Sequence, residues 1–225
     1  NVQRSSSVAR ITLDREQRRN ALTRNMIAAL AEQFSALADD PNVRLIELAS
    51  TGTVFCAGMD LGEMQQRAGQ AGPDDWLQDS IVYRDLLLSI IESPQPVLAI
   101  VQGPVLAGGV GLVLACDIVL ADASVYFSLP EPRRGITASM VIPLLLRRVG
   151  MGHANHLLLA GQRVEAEKLV DWGICQLVFE TGQLEGQVEH WRQGVLSGSP
   201  QALAASKAQL NLSAGDIRGQ LEQAA

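Results

Sequence analysis

Val97-Leu98-Ala99-Ile100-Val101 is an unbroken apolar run rich in β-branched residues, set off by Ser93-Pro94-Gln95-Pro96 on one side and glycines on the other. A run with no polar face to give to water predicts a strand covered on both sides, which is the situation of a parallel sheet beneath helices. The glycine-bearing turn Gly103–Gly109 follows, and Val110–Ala115 then predicts a short apolar helix. This strand–turn–helix passage restricts the chain to α/β architectures.

The flanking segments agree with that class. Val8–Leu13 predicts a strand, and Thr23 caps a helix whose apolar stripe is Met26, Ile27, Leu30, Phe34 and Leu37, ended by Asp39-Asp40-Pro41. Val43–Ala49 is the next strand, and the turn Ser50–Gly58 leads to a short helix beginning near Asp60. Pro73 opens a long helix through Glu92. Ile118–Leu120 and Val125–Phe127 predict short strands. From Ser139 the pattern is helical, broken at Gly150–Gly152, at Gly161 and by a strand over Ile174–Phe179.

Composition excludes several functions. With 225 residues, 47% of them hydrophobic and 19% charged, the chain can build a sizeable core and is not a disordered type. A net charge of −6 leaves no basic field for nucleic acid. Apolar runs such as Leu112–Cys116 are far short of the roughly 18 residues that span a bilayer, so no membrane partner is expected. The polar stretch Asn1–Ser7 has no apolar core of a signal peptide, and Cys56, Cys116 and Cys175 are an odd, widely spaced set that reads as reduced thiols. A cytoplasmic location is the expectation.

Two places can carry chemistry. Phe55-Cys56-Ala57-Gly58-Met59-Asp60-Leu61 and Gly103–Gly111 each place a turn directly before a helix, where backbone N–H groups lack intrahelical partners. Two such turns facing one another make a two-donor oxyanion hole. Neither has the spacing of a dinucleotide or P-loop motif. There is no serine-hydrolase elbow, and Cys56 has no base beside it in sequence, so it reads as a small buried thiol. His153 and His156 lie three apart on a helix without a carboxylate or thiol within a turn, which reads as a structural pair; no metal is expected.

These segments carry a family resemblance. Thr51–Leu61 resembles the first oxyanion segment of the enoyl-CoA hydratase/isomerase (crotonase) superfamily, and Val101–Ile118 its second. Ile11–Arg15 and Arg18–Leu22 match its opening strand and coenzyme A-contacting turn, and Phe127–Glu131 with Arg134–Ile136 its active-site loop. Together they cover residues 8–212 in the family's order. The resemblance implies a crotonase-like spiral of ββα units over residues 1–190. A helical C-terminal region would start at 191–225, with further helices expected beyond Ala225, and assembly as a homotrimer or dimer of trimers. It implies an acyl-CoA thioester as substrate, with coenzyme A part of that substrate and no separate cofactor.

It also implies roles for residues. The oxyanion donors fall on the N–H groups of Met59 and Gly108, where a side chain at 108 would obstruct the thioester. Contacts to coenzyme A or substrate fall on Arg18, Ala21, Ala57, Asp60, Leu61 and Gly111. Hydratases of the two-glutamate type hold water between two carboxylates. The second corresponds to Glu131, and the first falls on Gly111, which has no side chain. Pro132 is expected to hold Glu131 extended, and a water-poor pocket to raise its pKa for proton transfer. Glycine at 111 and Leu129–Thr137 resemble the branch acting on methylglutaconyl-CoA and isohexenylglutaconyl-CoA. The expected reaction is therefore reversible hydration of a branched, glutaconyl-type enoyl-CoA. A Δ3,Δ2-enoyl-CoA isomerase using one glutamate and a non-catalytic acyl-CoA-binding subunit remain the alternatives. Arg133 and Arg134 read either as solvent-facing loop arginines or as partners for a second substrate carboxylate. Trp76, Ile81, Tyr83, Leu87 and Ile90–Ile91 form core or acyl-pocket wall, and Lys207 sits on the terminal helix, where members of the family can reach a neighbouring subunit's coenzyme A.

Overall fold

The main sheet of the computed structural model, which describes residues 1–225, has six strands. In spatial order they are β1 (Val2–Ser5), β2 (Val8–Leu13), β3 (Leu45–Ser50), β4 (Val97–Val101), β6 (Ile118–Asp122) and β9 (Leu177–Phe179). β1 pairs antiparallel with β2, and every other pairing in this sheet is parallel. A second sheet runs β5 (Val105–Leu106), β7 (Tyr126–Ser128) and β8 (Val164–Glu165).

The central strands are buried along their whole length because both faces are covered. Ile46, Leu48, Val97, Ala99 and Val101 enter the larger core. Leu45, Ala49, Leu98 and Ile100 alternate with them into a smaller one. Helix α1 (Arg24–Ala38) covers the larger face with Ile27, Leu30, Phe34 and Leu37, and Thr23 Oγ1 caps it by accepting from Met26 N at 3.2 Å. α2 (Leu61–Arg67) is short, and α3 (Pro73–Glu92) packs on α1 and α4 (Gly108–Ala115). α5 (Ile142–Leu158) bends at Gly150, and α6 (Ala166–Asp171) joins β8 to β9. α7 (Leu184–Ser197) closes the smaller core with Leu184 and Val188, while Arg192 and Arg10 meet the buried Glu47 at 2.9 and 2.8 Å. α8 (Pro200–Ser213) and α9 (Ile217–Ala224) finish the chain, with Ile217 and Leu221 of α9 in the larger core. No helix is long and apolar enough to cross a membrane.

Successive turns of chain send one strand into the main sheet, one into the second sheet, then a helix: β4–β5–α4 and β6–β7–α5. The loop after β3 imitates this pattern through an isolated bridge of Cys56 to Val105. The crotonase-like spiral expected from the sequence is the fold. The boundary expected at 190/191 falls inside α7. β3 starts at Leu45, two residues later than expected, because the N–H groups of Arg44 and Leu45 both turn to Ser7 O. β5, within the turn expected at Gly103–Gly109, was not anticipated. β6 runs on to Asp122, β7 lies one residue later than expected, and the strand over Ile174–Phe179 contracts to Leu177–Phe179.

Candidate active site

Asn20 ties the segment Arg15–Leu22 to the chain that leads into the first site turn. Its Oδ1 accepts from Arg15 N at 2.8 Å, and its Nδ2 donates to Thr51 O and Val54 O at 2.8 and 2.9 Å. Leu22 then pairs with Met59 in an isolated parallel bridge. On the other side, Leu106 N donates to Cys56 O at 2.9 Å and Phe55 N to Pro104 O at 3.1 Å. Three loops distant in sequence are thus laced side by side by main-chain bonds. Gly58 (φ +84°) sits at the crossing, and a Cβ there would stand 3.1 Å from Gly108 N.

Beneath these loops opens a cavity of about 590 Å³, within the usual range for a small-molecule site. Met59, Gly108 and Glu131 all line it, as do Arg18, Ala21, Ala57, Asp60 and Leu61. The N–H groups of Met59 and Gly108 donate to no other protein group. Gly108 is the first residue of α4, so the positive end of that helix also faces the cavity. Ala107, just before it, is held at φ +53°, ψ −131°, a conformation that strains a residue with a side chain. Its N–H donates to Ser128 O at 3.0 Å and its carbonyl accepts from Val110 N at 2.9 Å, which fixes the Gly108 peptide.

Glu131 opens a short 3-10 turn over Glu131–Arg134 rather than standing extended. Pro132 occupies the first turn, where it loses no hydrogen bond, and Arg133 N→Pro130 O (3.1 Å) and Ile136 N→Glu131 O (3.1 Å) hold the turn closed. The carboxylate is largely buried and its Oε2 has no hydrogen-bond partner. Burial pushes the Glu131 pKa above the ordinary glutamate value, with its own backbone N–H and the charge of Arg134 partly offsetting this. A carboxylate with a buried, unpartnered oxygen, in the same cavity as two free N–H groups, can move a proton next to a carbonyl whose oxygen those N–H groups hold.

Other expected site residues divide. Asp60 lines the cavity, but its carboxylate is spent on structure. Oδ1 caps α2 by accepting from Gly62 N and Glu63 N, and Oδ2 meets Arg15 Nη1 at 2.6 Å. The Arg15 hydrogen bond, the largest favourable contribution, holds its pKa below the usual carboxylate range. Arg18 is exposed and makes no ion pair. Arg134 lines the cavity without an ion-pair partner, whereas Arg133 Nη2 is turned away to Gly161 O at 3.0 Å. Gly111 does not line the cavity; Tyr83 stands between, and a Cβ on Gly111 would press into Tyr83 Oη. Lys207 does not reach outward. It is buried, donating to Ile90 O and Gln95 O at 3.1 Å each, with Asp117 Oδ2 at 2.6 Å. Cys56 is fully buried, donates to Asn20 O at 3.3 Å, and has its pKa pushed up to about 12 by burial, so it is no nucleophile. His153 and His156 clasp Trp172, one stacked at 4.3 Å and one edge-on at 5.4 Å. Sequence reasoning missed the strain at Ala107, where a glycine would have given the signal; Tyr83, expected as core or acyl-pocket wall, is buried and lines the cavity.

The family model for enoyl-CoA hydratase/isomerase matches residues 3–223. A Thermus thermophilus protein with an enoyl-CoA hydratase designation is 32% identical over 200 residues, covering 89% of this chain and 79% of its own. The Beauveria bassiana mevalonyl-coenzyme A hydratase SIDH is 31% identical over 210 residues, covering 89% and 74%. Among solved structures, Pseudomonas aeruginosa AtuE superposes with a TM-score of 0.90 at 30% identity, covering 100% of this chain and 87% of its own.

Proposed function

The chain belongs to the enoyl-CoA hydratase/isomerase family, and from that premise we propose that it hydrates the α,β double bond of an enoyl-CoA with Glu131 as its acid–base group and the N–H groups of Met59 and Gly108 as its oxyanion hole. The observation that carries this reading is the buried, unpartnered Oε2 of Glu131 in the same cavity as two main-chain donors that serve nothing else. The thioester oxygen accepts from the two N–H groups. Water attacks C3 while the Glu131 carboxylate takes one of its protons, and the π pair moves through C2 onto the thioester oxygen. Glu131 then returns that proton to C2 as the carbonyl re-forms. Atoms and charge balance, and the carboxylate ends as it began. Preorganised donors of this kind contribute on the order of 10²–10³ in rate each. Coenzyme A enters as part of the substrate, and the exposed Arg18, which makes no ion pair, is a cation at the cavity rim suited to its phosphates.

For the acyl group we propose a branched chain ending in a second carboxylate. Arg134 supports this as an unpaired guanidinium on the cavity wall beside Glu131, and similarity to a protein named as a mevalonyl-CoA hydratase is consistent with branching. The test is a panel of straight, branched and carboxylate-bearing 2-enoyl-CoAs, with wild type compared to Arg134→Gln. A charge-assisted pair is worth about 1.5–3 kcal/mol, so Arg134→Gln should lower kcat/KM for the carboxylate-bearing substrate at least about tenfold and leave uncharged chains within about threefold. An equal loss on all chains removes the glutaconyl-type assignment.

A Δ3,Δ2 isomerase is the second reading, favoured by the absence of another free carboxylate at the reacting end. A 3-enoyl-CoA gaining conjugated absorbance, with no bleaching of a 2-enoyl-CoA, would establish it instead.

A further inference from the structure

Tyr83 reaches the site from the middle of α3, buried to 2% exposure, and lines the cavity. Its hydroxyl donates to Gly108 O. The nearest atom to a Cβ built on Gly111 is Tyr83 Oη, followed by Tyr83 Cζ and Val141 Cγ2 at 3.5 Å each. The phenol oxygen therefore occupies the space into which a side chain at 111 would project. That is the position the sequence resemblance gives to a carboxylate in two-glutamate hydratases.

The other carboxylates of the cavity wall are committed elsewhere. Asp60 serves Arg15 and the N-terminus of α2, Asp79 pairs with Arg24 at 2.6 Å and with Arg67, and Glu63 accepts from Arg24 N at 3.0 Å. Tyr83 and Glu131 remain, and both line the same cavity. Burial, with the nearby Cys56 and Glu131, holds the phenol pKa well above its ordinary value, so it stays neutral throughout turnover.

We infer that Tyr83 is a catalytic residue standing in for the missing carboxylate: its hydroxyl oxygen accepts a hydrogen bond from the attacking water, whose other hydrogen faces Glu131. The single phenol proton is given to Gly108 O, so the oxygen keeps its lone pairs free to accept. Water is then held by two acceptors of different kind. The proton pointing at Glu131 is transferred as the C3–O bond forms, and the proton pointing at Tyr83 stays on the product hydroxyl. The phenol changes neither charge nor protonation. The peptide of Gly108 is already fixed by α4 and by Ala107, so the distinctive contribution of Tyr83 is to the water.

This inference rests on Glu131 acting as the base, and the test separates the two. Wild type and Tyr83→Phe are compared in hydration of a 2-enoyl-CoA and in exchange of the C2 proton of a saturated acyl-CoA with deuterated solvent. Exchange needs the base and the oxyanion hole but no attacking water. Tyr83→Phe is expected to lower kcat for hydration about 100-fold, leave KM within about threefold, and leave C2 exchange within about threefold. Gly111→Ala, which drives a methyl against the hydroxyl without removing the ring, should cause a similar loss in wild type and little further loss in the Tyr83→Phe background. Hydration within threefold of wild type in Tyr83→Phe overturns the inference and leaves the base reading intact. Equal loss of hydration and exchange also overturns it, because Tyr83 would then act on the oxyanion hole. Absence of both reactions in wild type overturns the base reading itself.

Discussion

In the proposed mechanism Glu131 gains reactivity from the same burial that costs the fold stability. Its folded-state pKa lies above the ordinary value, so the folded protein holds this proton more tightly than the unfolded chain does. The associated stability is fully present below the unfolded pKa and is lost as pH rises from there through the raised folded value. Activity in the proposed mechanism runs the other way, because hydration there needs the Glu131 carboxylate. The acid limb of kcat/KM should have its midpoint above 4.5, and a midpoint at or below 4.5 would contradict the burial argument. Ala107 stores a second residue-scale cost of about 1–3 kcal/mol in its strained backbone. Ala107→Gly should relieve it and, after about 0.5–1 kcal/mol for glycine's extra chain entropy, raise stability by about 1 kcal/mol while lowering turnover. Thermal melting shifted upward by about 2–4 °C with a reduced kcat is the expected pair of results, and a lowered Tm would contradict it. Glu131 and Gly108 could be read from the motifs. Ala107 could not, because nothing in an alanine announces a glycine's conformation.

At the scale of elements, legibility follows how much of the signal is local. α3 can be read to both ends because Pro73 starts it and Ser93-Pro94 stops it. β4 can be read because burial on both faces excludes every polar residue. β1 offers a mostly exposed Val-Gln-Arg-Ser with no apolar pattern, and β5 and β8 are two residues each, existing only because β7 lies beside them. Lys207 is the plainest case of an element doing other than expected. α8 turns it inward, where it fastens the end of α3 and the Ser93–Pro96 break to Asp117. Burial lowers its pKa against the pull of that carboxylate. Lys207→Ala leaves Asp117 without its cation and should cost about 3 kcal/mol, read as a lower urea midpoint with an unchanged slope. Asp117→Asn in the same background should recover part of the loss. A midpoint unchanged by Lys207→Ala would mean the pair contributes nothing.

For the molecule as a whole, the spiral gathers the cavity wall from five stretches of chain between Gln17 and Val141. Motif order along the sequence reveals the two turns and the glutamate loop, since each is continuous. The phenol of Tyr83 is delivered by the packing of α3 against α4, a tertiary result that no spacing within either helix records. The cavity thus combines a legible frame with one hydroxyl whose position beside Gly111 only the fold reveals. In the proposed mechanism Glu131 moves the proton while the two N–H groups hold the oxygen. The most direct test of this is Glu131→Gln, followed by loss of 2-enoyl-CoA absorbance and, separately, by binding of the same thioester. The expected result is a kcat lowered by about 10²–10⁴, thioester affinity within about threefold, and a Tm at neutral pH higher than wild type because a buried charge is gone. Turnover within a few fold of wild type would contradict the account.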